Sequence, residues 1–289
     1  MEFLNNDLTK WFVRHLTGIV PLLHDMCVNT CIAYTGPLSL LECHPHCLEP
    51  HYHPIVLRKS GRKKKKVQRV FYTLPIGLQL QALYCSRECA QRVKYAEEKL
   101  QEIVDQGEEN GTMQDFKHWC HSTDFVKAFR DGHLKKGDPV LMFSINGVQL
   151  FHIKLLDCWM YIWIIFNLDP KTGHYKKVSV LFGGIIPGPN KPKNLESFLF
   201  PGLHHLSAIQ NEGLCIWDVF IGTLYTSNLF LVVASADSPV MAYINGLVWD
   251  IRGGLVANST VHSKAAVKGL IITQSALNLV ITSPAHFPM

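Results

Sequence analysis

The sequence predicts an α/β protein, a mixed sheet with flanking helices, preceded by a cysteine-rich segment and a mainly helical one. Three observations carry this. From Pro139 the helical spacing of apolar residues gives way to extended, β-branched and aromatic runs. The runs at 140–151, 158–168 and 176–186 follow one another through connections too short for parallel crossovers, so they are expected as antiparallel neighbours. A helix and two further strands come next, the last being Leu229 to Asp237.

Five segments follow in order. Residues 1–57 are rich in Cys, His and Pro, with little helical or strand periodicity. A basic linker spans 58–69, and Val70 to Pro75 then reads as a short extended piece at the head of a mainly helical segment, 70–138. There Ser86 is placed to cap a helix with apolar positions Val93, Ala96, Leu100, Ile103 and Val104, ended by Gly107. A shorter helix starts near Thr123 and stops at Gly132. The β-rich core covers 139–249. Within it Cys158 to Phe166 is a central strand, and Pro201 opens a helix that Gly213 closes. Residues 214–220 form a strand and 239–248 a helix. The tail, 250–289, has no cysteine, and no acid from 251 on. Three antiparallel strands, a helix and a strand ending in Asp237 is the order of a ribonuclease-H-like core, here a partial one.

With 289 residues, 47% hydrophobic and 18% charged, the chain is globular rather than disordered. No apolar run reaches membrane-spanning length and the N-terminus carries no secretory pattern, so an intracellular, reducing setting is expected. In that setting the nine cysteines are ligands or core residues before they are disulfides. Charge is concentrated. Arg58, Lys59, Arg62, Lys63, Lys64, Lys65, Lys66 and Arg69 form a run without an acid, and removing these eight from a net charge of +5 leaves the rest at −3. A solvated linker would suffice. The functional readings are nuclear import, hence a nuclear location, and contact with a DNA backbone.

Cys27-x3-Cys31, eleven residues, then Cys43-x3-Cys47 is the strongest metal signal. Tetrahedral zinc takes soft ligands delivered as two close pairs. His44, His46, His51 and His53 offer nitrogens, so a mixed set is open, with His46 the named substitute. Four unrelated buried thiols are the plain alternative. Cys85-x3-Cys89 would put two thiols on one helical face and reads as core or surface. Gly183 to Asn190 reads as a turn, and His204-His205 as structural. Lys191 and Lys193 suit an exposed polar face as well as they suit a phosphate backbone.

Two strand ends carry the remaining chemistry. Val140 to Phe151 reads as a buried strand ending in polar Asn146 and a glycine turn, and a second strand ends in Asp237, which also suits a helix N-cap. Polar groups at two strand ends can build a two-metal site for phosphoryl transfer, and such a site requires negative charge. Asn146 is a neutral amide.

Four stretches, Thr73 to Tyr84, Asp157 to Phe166, Ile186 to Leu206 and Ala236 to Val248, resemble the transposases of CACTA-type (En/Spm-like) DNA elements in their fungal form. The family's Cys-x2-Cys pair is here Cys43-His-Pro-His-Cys47. The resemblance implies a ribonuclease-H-like transposase with an acidic triad and two Mg2+ or Mn2+ ions that cuts and joins DNA ends. In it Asn146 stands where the first catalytic Asp is expected and Asp237 matches the second. The third acid is expected beyond the end of this chain, and the resemblance stops at about Trp249. A truncated, inactive copy is therefore expected, still able to bind zinc and DNA, with no membrane or small-molecule partner. Two alternatives stay open: a zinc- and DNA-binding regulator retained by the host, and an active subunit that works with a full-length transposase or recruits Asp157 or Glu196.

Overall fold

The computed structural model describes residues 14–110, 123–149, 157–169, 179–188, 190–236, 248–249 and 255–256. In chain order its elements are β1 (Leu22–Met26), α1 (Pro54–Lys59), β2 (Arg69–Thr73), α2 (Ile76–Tyr84), α3 (Arg87–Arg92), α4 (Tyr95–Asn110) and α5 (Thr123–Arg130). Then come β3 (Val140–Gln149), β4 (Asp157–Ile165), β5 (Val180–Pro187), α6 (Leu195–Glu212), β6 (Leu214–Asp218), β7 (Thr223–Ser227) and β8 (Phe230–Ala236). The short β9 (Val248–Trp249) and β10 (Leu255–Val256) pair with each other.

Six strands form a mixed sheet in the order β1-β2-β5-β4-β3-β8. β1 with β2, and β2 with β5, are antiparallel. The bond from Phe166 N to Val140 O joins the end of β4 to the start of β3, which makes that pair antiparallel as well. Phe230 N donates to Pro139 O at 2.9 Å and joins the starts of β8 and β3, so these two run the same way. β4 is interior, as its aromatic and β-branched composition predicts, with Tyr161, Trp163 and Ile165 all buried.

Two compact units interleave along the chain. One comprises the described residues within Met1–Leu78, Ile145–Ile162 and Phe182–His205; the other, those within Gln79–Ser144, Trp163–Leu181 and Leu206–Met289. The first unit packs Met26, Phe71, Ile76, Trp159, Tyr161 and Phe198, with the Phe71 and Phe198 rings edge to face at 5.2 Å. The second packs Leu80, Tyr84, Val140, Phe143, Trp163 and Ile216, with Phe143 and Trp163 at 5.1 Å. Such aromatic pairs add directional packing to plain burial.

Several elements depart from their sequence reading. β1 lies in the cysteine-rich segment where no strand is predicted. Its exposed Leu22 and Leu23 hide the alternation, and pairing with β2 supplies the order. The helix expected from Ser86 to Gly107 is two helices. Ser86 caps α3, which ends at Arg92, and α4 starts anew at Tyr95 and continues through Gly107; in its first turn the Ala96 N–H bonds to Asn167 O at 3.2 Å. Cys85 thereby falls outside the helix that holds Cys89, so the two share no helical face. Gly183 and Gly184 lie inside β5 rather than in a turn. A Cβ on Gly184 would run into the Tyr161 ring, so the glycine makes room for that aromatic.

α6 begins at Leu195, and Pro201 sits inside it. A proline there frees the carbonyl of Ser197, four residues back. That carbonyl accepts the hydroxyl of Thr35 instead, and the helix continues to Gly213, which ends it at φ +83 as the sequence predicts. The expected helix at 239–248 falls mostly outside the described residues.

Candidate metal centre

β1 delivers the chain into a tight knuckle. Thr30 takes a left-handed φ of 59, Thr30 N bonds to Cys27 O, and Cys27 N bonds back to Ile32 O. Cys27 and Cys31 are thereby presented inward, each 1% exposed. A second tight loop runs from His44 to Glu49, closed by His44 N to Glu49 O at 2.9 Å and Leu48 N to His44 O at 3.0 Å. Leu38 and Leu41 pack against the buried Cys27, Cys31, Ile32 and Tyr34.

The two loops bring Cys27, Cys31, His44 and Cys47 together, with their ligand atoms all within 4.8 Å of one another. Sγ of Cys27 and of Cys47 are 3.6 Å apart, and Nδ1 of His44 is 2.9 Å from Sγ of Cys47. Three thiols and one imidazole at such spacing can hold a metal ion.

Three of the four expected cysteines are in the cluster; the fourth place belongs to His44. Cys43 forms an isolated antiparallel bridge with Pro50 and points outward, exposed. Side chains alternate across an extended strand, so the next residue, His44, points in and is 2% exposed. His46, the named substitute, is exposed and touches His44 edge to face at 5.6 Å. His51 is buried for another purpose. Its Nδ1 donates to Leu41 O at 2.9 Å, its Nε2 meets Asp25 at 2.8 Å, and its ring stacks on both Tyr34 and Tyr52. It braces the second loop against β1.

The electrostatics suit a ligand set. Burial pushes the Cys27 thiol up, and burial with the neighbouring charges of Cys27 and Cys47 pushes Cys31 up to about 11. Cys47 runs the other way. Burial alone would raise it, but the Glu49 main-chain N–H and bonds from Cys27 and Cys31 hold it below the ordinary thiol value. Burial, then the nearby charges of His46 and Lys193, keep His44 below the ordinary histidine value, so it stands as a neutral donor.

The basic run is fixed beside this centre rather than loose. Val67 bridges to Tyr52, His53 N donates to Lys66 O, and Arg69 Nη1 donates to Val28 O at 2.9 Å. Glu42 pairs with Arg62 at 3.3 Å and Lys65 at 3.0 Å, and Lys65 lies over the Tyr52 ring. Arg58, Lys59, Lys63, Lys64 and Lys66 are exposed and form no ion pair among the described residues.

The other expected seat is placed differently. Asn146 is exposed on β3, but the strand runs on through Asn146 and Gly147 to Gln149 and does not turn there. Gly147 faces the Trp159 indole, which a Cβ would meet at 3.4 Å. Asp237 follows the end of β8 and lies outside the described residues. Asp157 is the first residue of β4 and Glu196 is exposed in the first turn of α6. Asp218, fully buried, is structural. It accepts from Phe220 N and Ile221 N at the β6–β7 turn and pairs with Lys94 at 3.0 Å. No protein-family model matches the chain, and no curated protein matches it.

Proposed function

We propose that this chain is a zinc-organised, nucleic-acid-binding protein derived from a CACTA-type transposase and without strand-cleaving activity. The observation that carries the reading is the convergence of Cys27, Cys31, His44 and Cys47 beside an anchored, largely unneutralised basic run. Three sulfurs and one nitrogen are the donors zinc favours over magnesium or calcium. When bound, zinc would fix the two loops by tying them to one point. An exposed cluster of lysines and arginines next to a small metal-braced module suits polyanion contact, and it suits recognition by the import machinery of the nucleus.

The ribonuclease-H-like expectation is supported by the strand order. Along the order β5-β4-β3-β8, β3 runs antiparallel to β4 on one side and in the same direction as β8 on the other. β1 and β2 extend this arrangement at the β5 edge. The position matched to the first catalytic acid holds Asn146, whose amide offers an oxygen but no charge, so the residues present do not fit a pair of divalent cations there.

The test uses the full chain, purified with zinc. Retarded duplex DNA with no nicking of supercoiled plasmid in magnesium or manganese is the expected outcome. Nicking that Asp237→Ala abolishes, or failure to bind DNA at low salt, would overturn it.

A further inference from the structure

The metal knuckle holds two basic segments, not one. Three of its main-chain carbonyls divide between them. Val28 O accepts from Arg69, the last residue of the basic run. Asn29 O accepts from the side chain of Asn190 at 3.2 Å, and Cys31 O accepts from Asn194 N at 2.9 Å. The segment 190–194 that leads into α6 is thus pinned at both ends to the loop carrying Cys27 and Cys31. Ser197 tightens the same joint, its hydroxyl accepting from Ala33 N at 2.8 Å and donating to Asn194 O at 2.8 Å.

Between the two pins stand Lys191 and Lys193. Both are exposed, and neither forms an ion pair among the described residues. The Lys191 ammonium lies over the Trp159 ring, 6.0 Å from its centre, beside Gly147. Lys193 is close enough to the cluster to influence Cys31 and His44. Two lysines on a pinned loop lose little further freedom when they meet an anion, in contrast to lysines on a mobile tail. Pro192 between them stiffens the spacing.

We propose that Lys191 and Lys193 form a second nucleic-acid backbone contact, held in place by the same metal knuckle that anchors the basic run. The ligand is the phosphodiester backbone of duplex DNA, and the proposal rests on the DNA-binding reading above. With zinc bound by three thiolates and a neutral imidazole the cluster would carry a net −1, which the nearby Lys193 would partly offset while still facing solvent. Lys191 has no such second duty.

The experiment is the salt dependence of binding of a fluorescent duplex to the zinc-loaded full chain. The comparison proteins are Lys191→Ala with Lys193→Ala, the charge-retaining Lys191→Arg with Lys193→Arg, and a basic-run variant (Lys63, Lys64 and Lys66 all to Ala). Each phosphate contact contributes about 0.9 to the slope of log K against log salt. Losing both loop contacts should therefore flatten the slope by about 1.8, and the arginine pair should restore it. A slope unchanged by the alanine pair, with zinc content and melting temperature retained, overturns the second contact while a flattened basic-run slope leaves the first reading standing. Absence of salt-dependent binding in the unaltered protein overturns both.

Discussion

Asp218 has lost all contact with water, and Lys94, itself 17% exposed, is the cation beside it at 3.0 Å. A pair of this kind is a weak source of stability but costly to halve, because the survivor is a buried, uncompensated charge. Lys94→Met is expected to cost about 3–5 kcal/mol in denaturant unfolding, and the double change Lys94→Met with Asp218→Asn about half of that or less. At the metal cluster the residue-scale prediction concerns protons. With Cys31 near 11 and Cys27 also raised, both thiols keep their protons in the metal-free protein at neutral pH, and zinc must displace them. Zinc affinity should therefore fall as pH drops from 8 to 6, by about tenfold per unit for each displaced proton. His44, held below the ordinary histidine value by burial, contributes less to the slope than the thiols. A competition titration with a chromophoric chelator at three pH values checks this, and a flat profile contradicts it.

Among the elements, α6 shows how a local rule is overridden by a tertiary contact. Pro201 looks like a helix start because its missing N–H is harmless there. Inside the helix it orphans Ser197 O, and the Thr35 hydroxyl from the cysteine-rich segment fills the gap. Thr35→Val keeps the shape and removes the donor. It is expected to cost about 1–3 kcal/mol, the penalty of a buried unpaired carbonyl, against little for Thr35→Ser, as measured by thermal or urea unfolding. Gly184 gives a second element-scale prediction. Alanine there is expected to cost about 1–3 kcal/mol by overpacking against Tyr161, and a smaller residue at Tyr161 should recover part of it. These positions also mark what the sequence makes legible. β4 and the closing glycine of α6 follow from composition and backbone freedom, which are local. The first turn of α4 is bonded to the distant Asn167, and the course of α6 depends on Thr35, so no window of neighbouring residues reveals either contact.

For the molecule as a whole, the pattern of two cysteine pairs points to three of the four residues that the fold gathers into the cluster. The choice between Cys43 and His44 is set by a one-residue alternation at the bridge to Pro50, and Cys-x3-Cys spacing is silent about that. In the same way the run 58–69 is conspicuous in sequence, whereas its attachment to the knuckle through Arg69, shared with the 190–194 loop, appears only on folding. The picture is of loops, basic segments and the start of α6 gathered on one small centre. Its most direct test is the zinc content of the purified chain and of single variants. One ion per chain is expected, lost on Cys27→Ser, Cys47→Ser or His44→Ala and kept on Cys43→Ser. Protein free of zinc, or zinc that leaves with Cys43 and stays without His44, would contradict it.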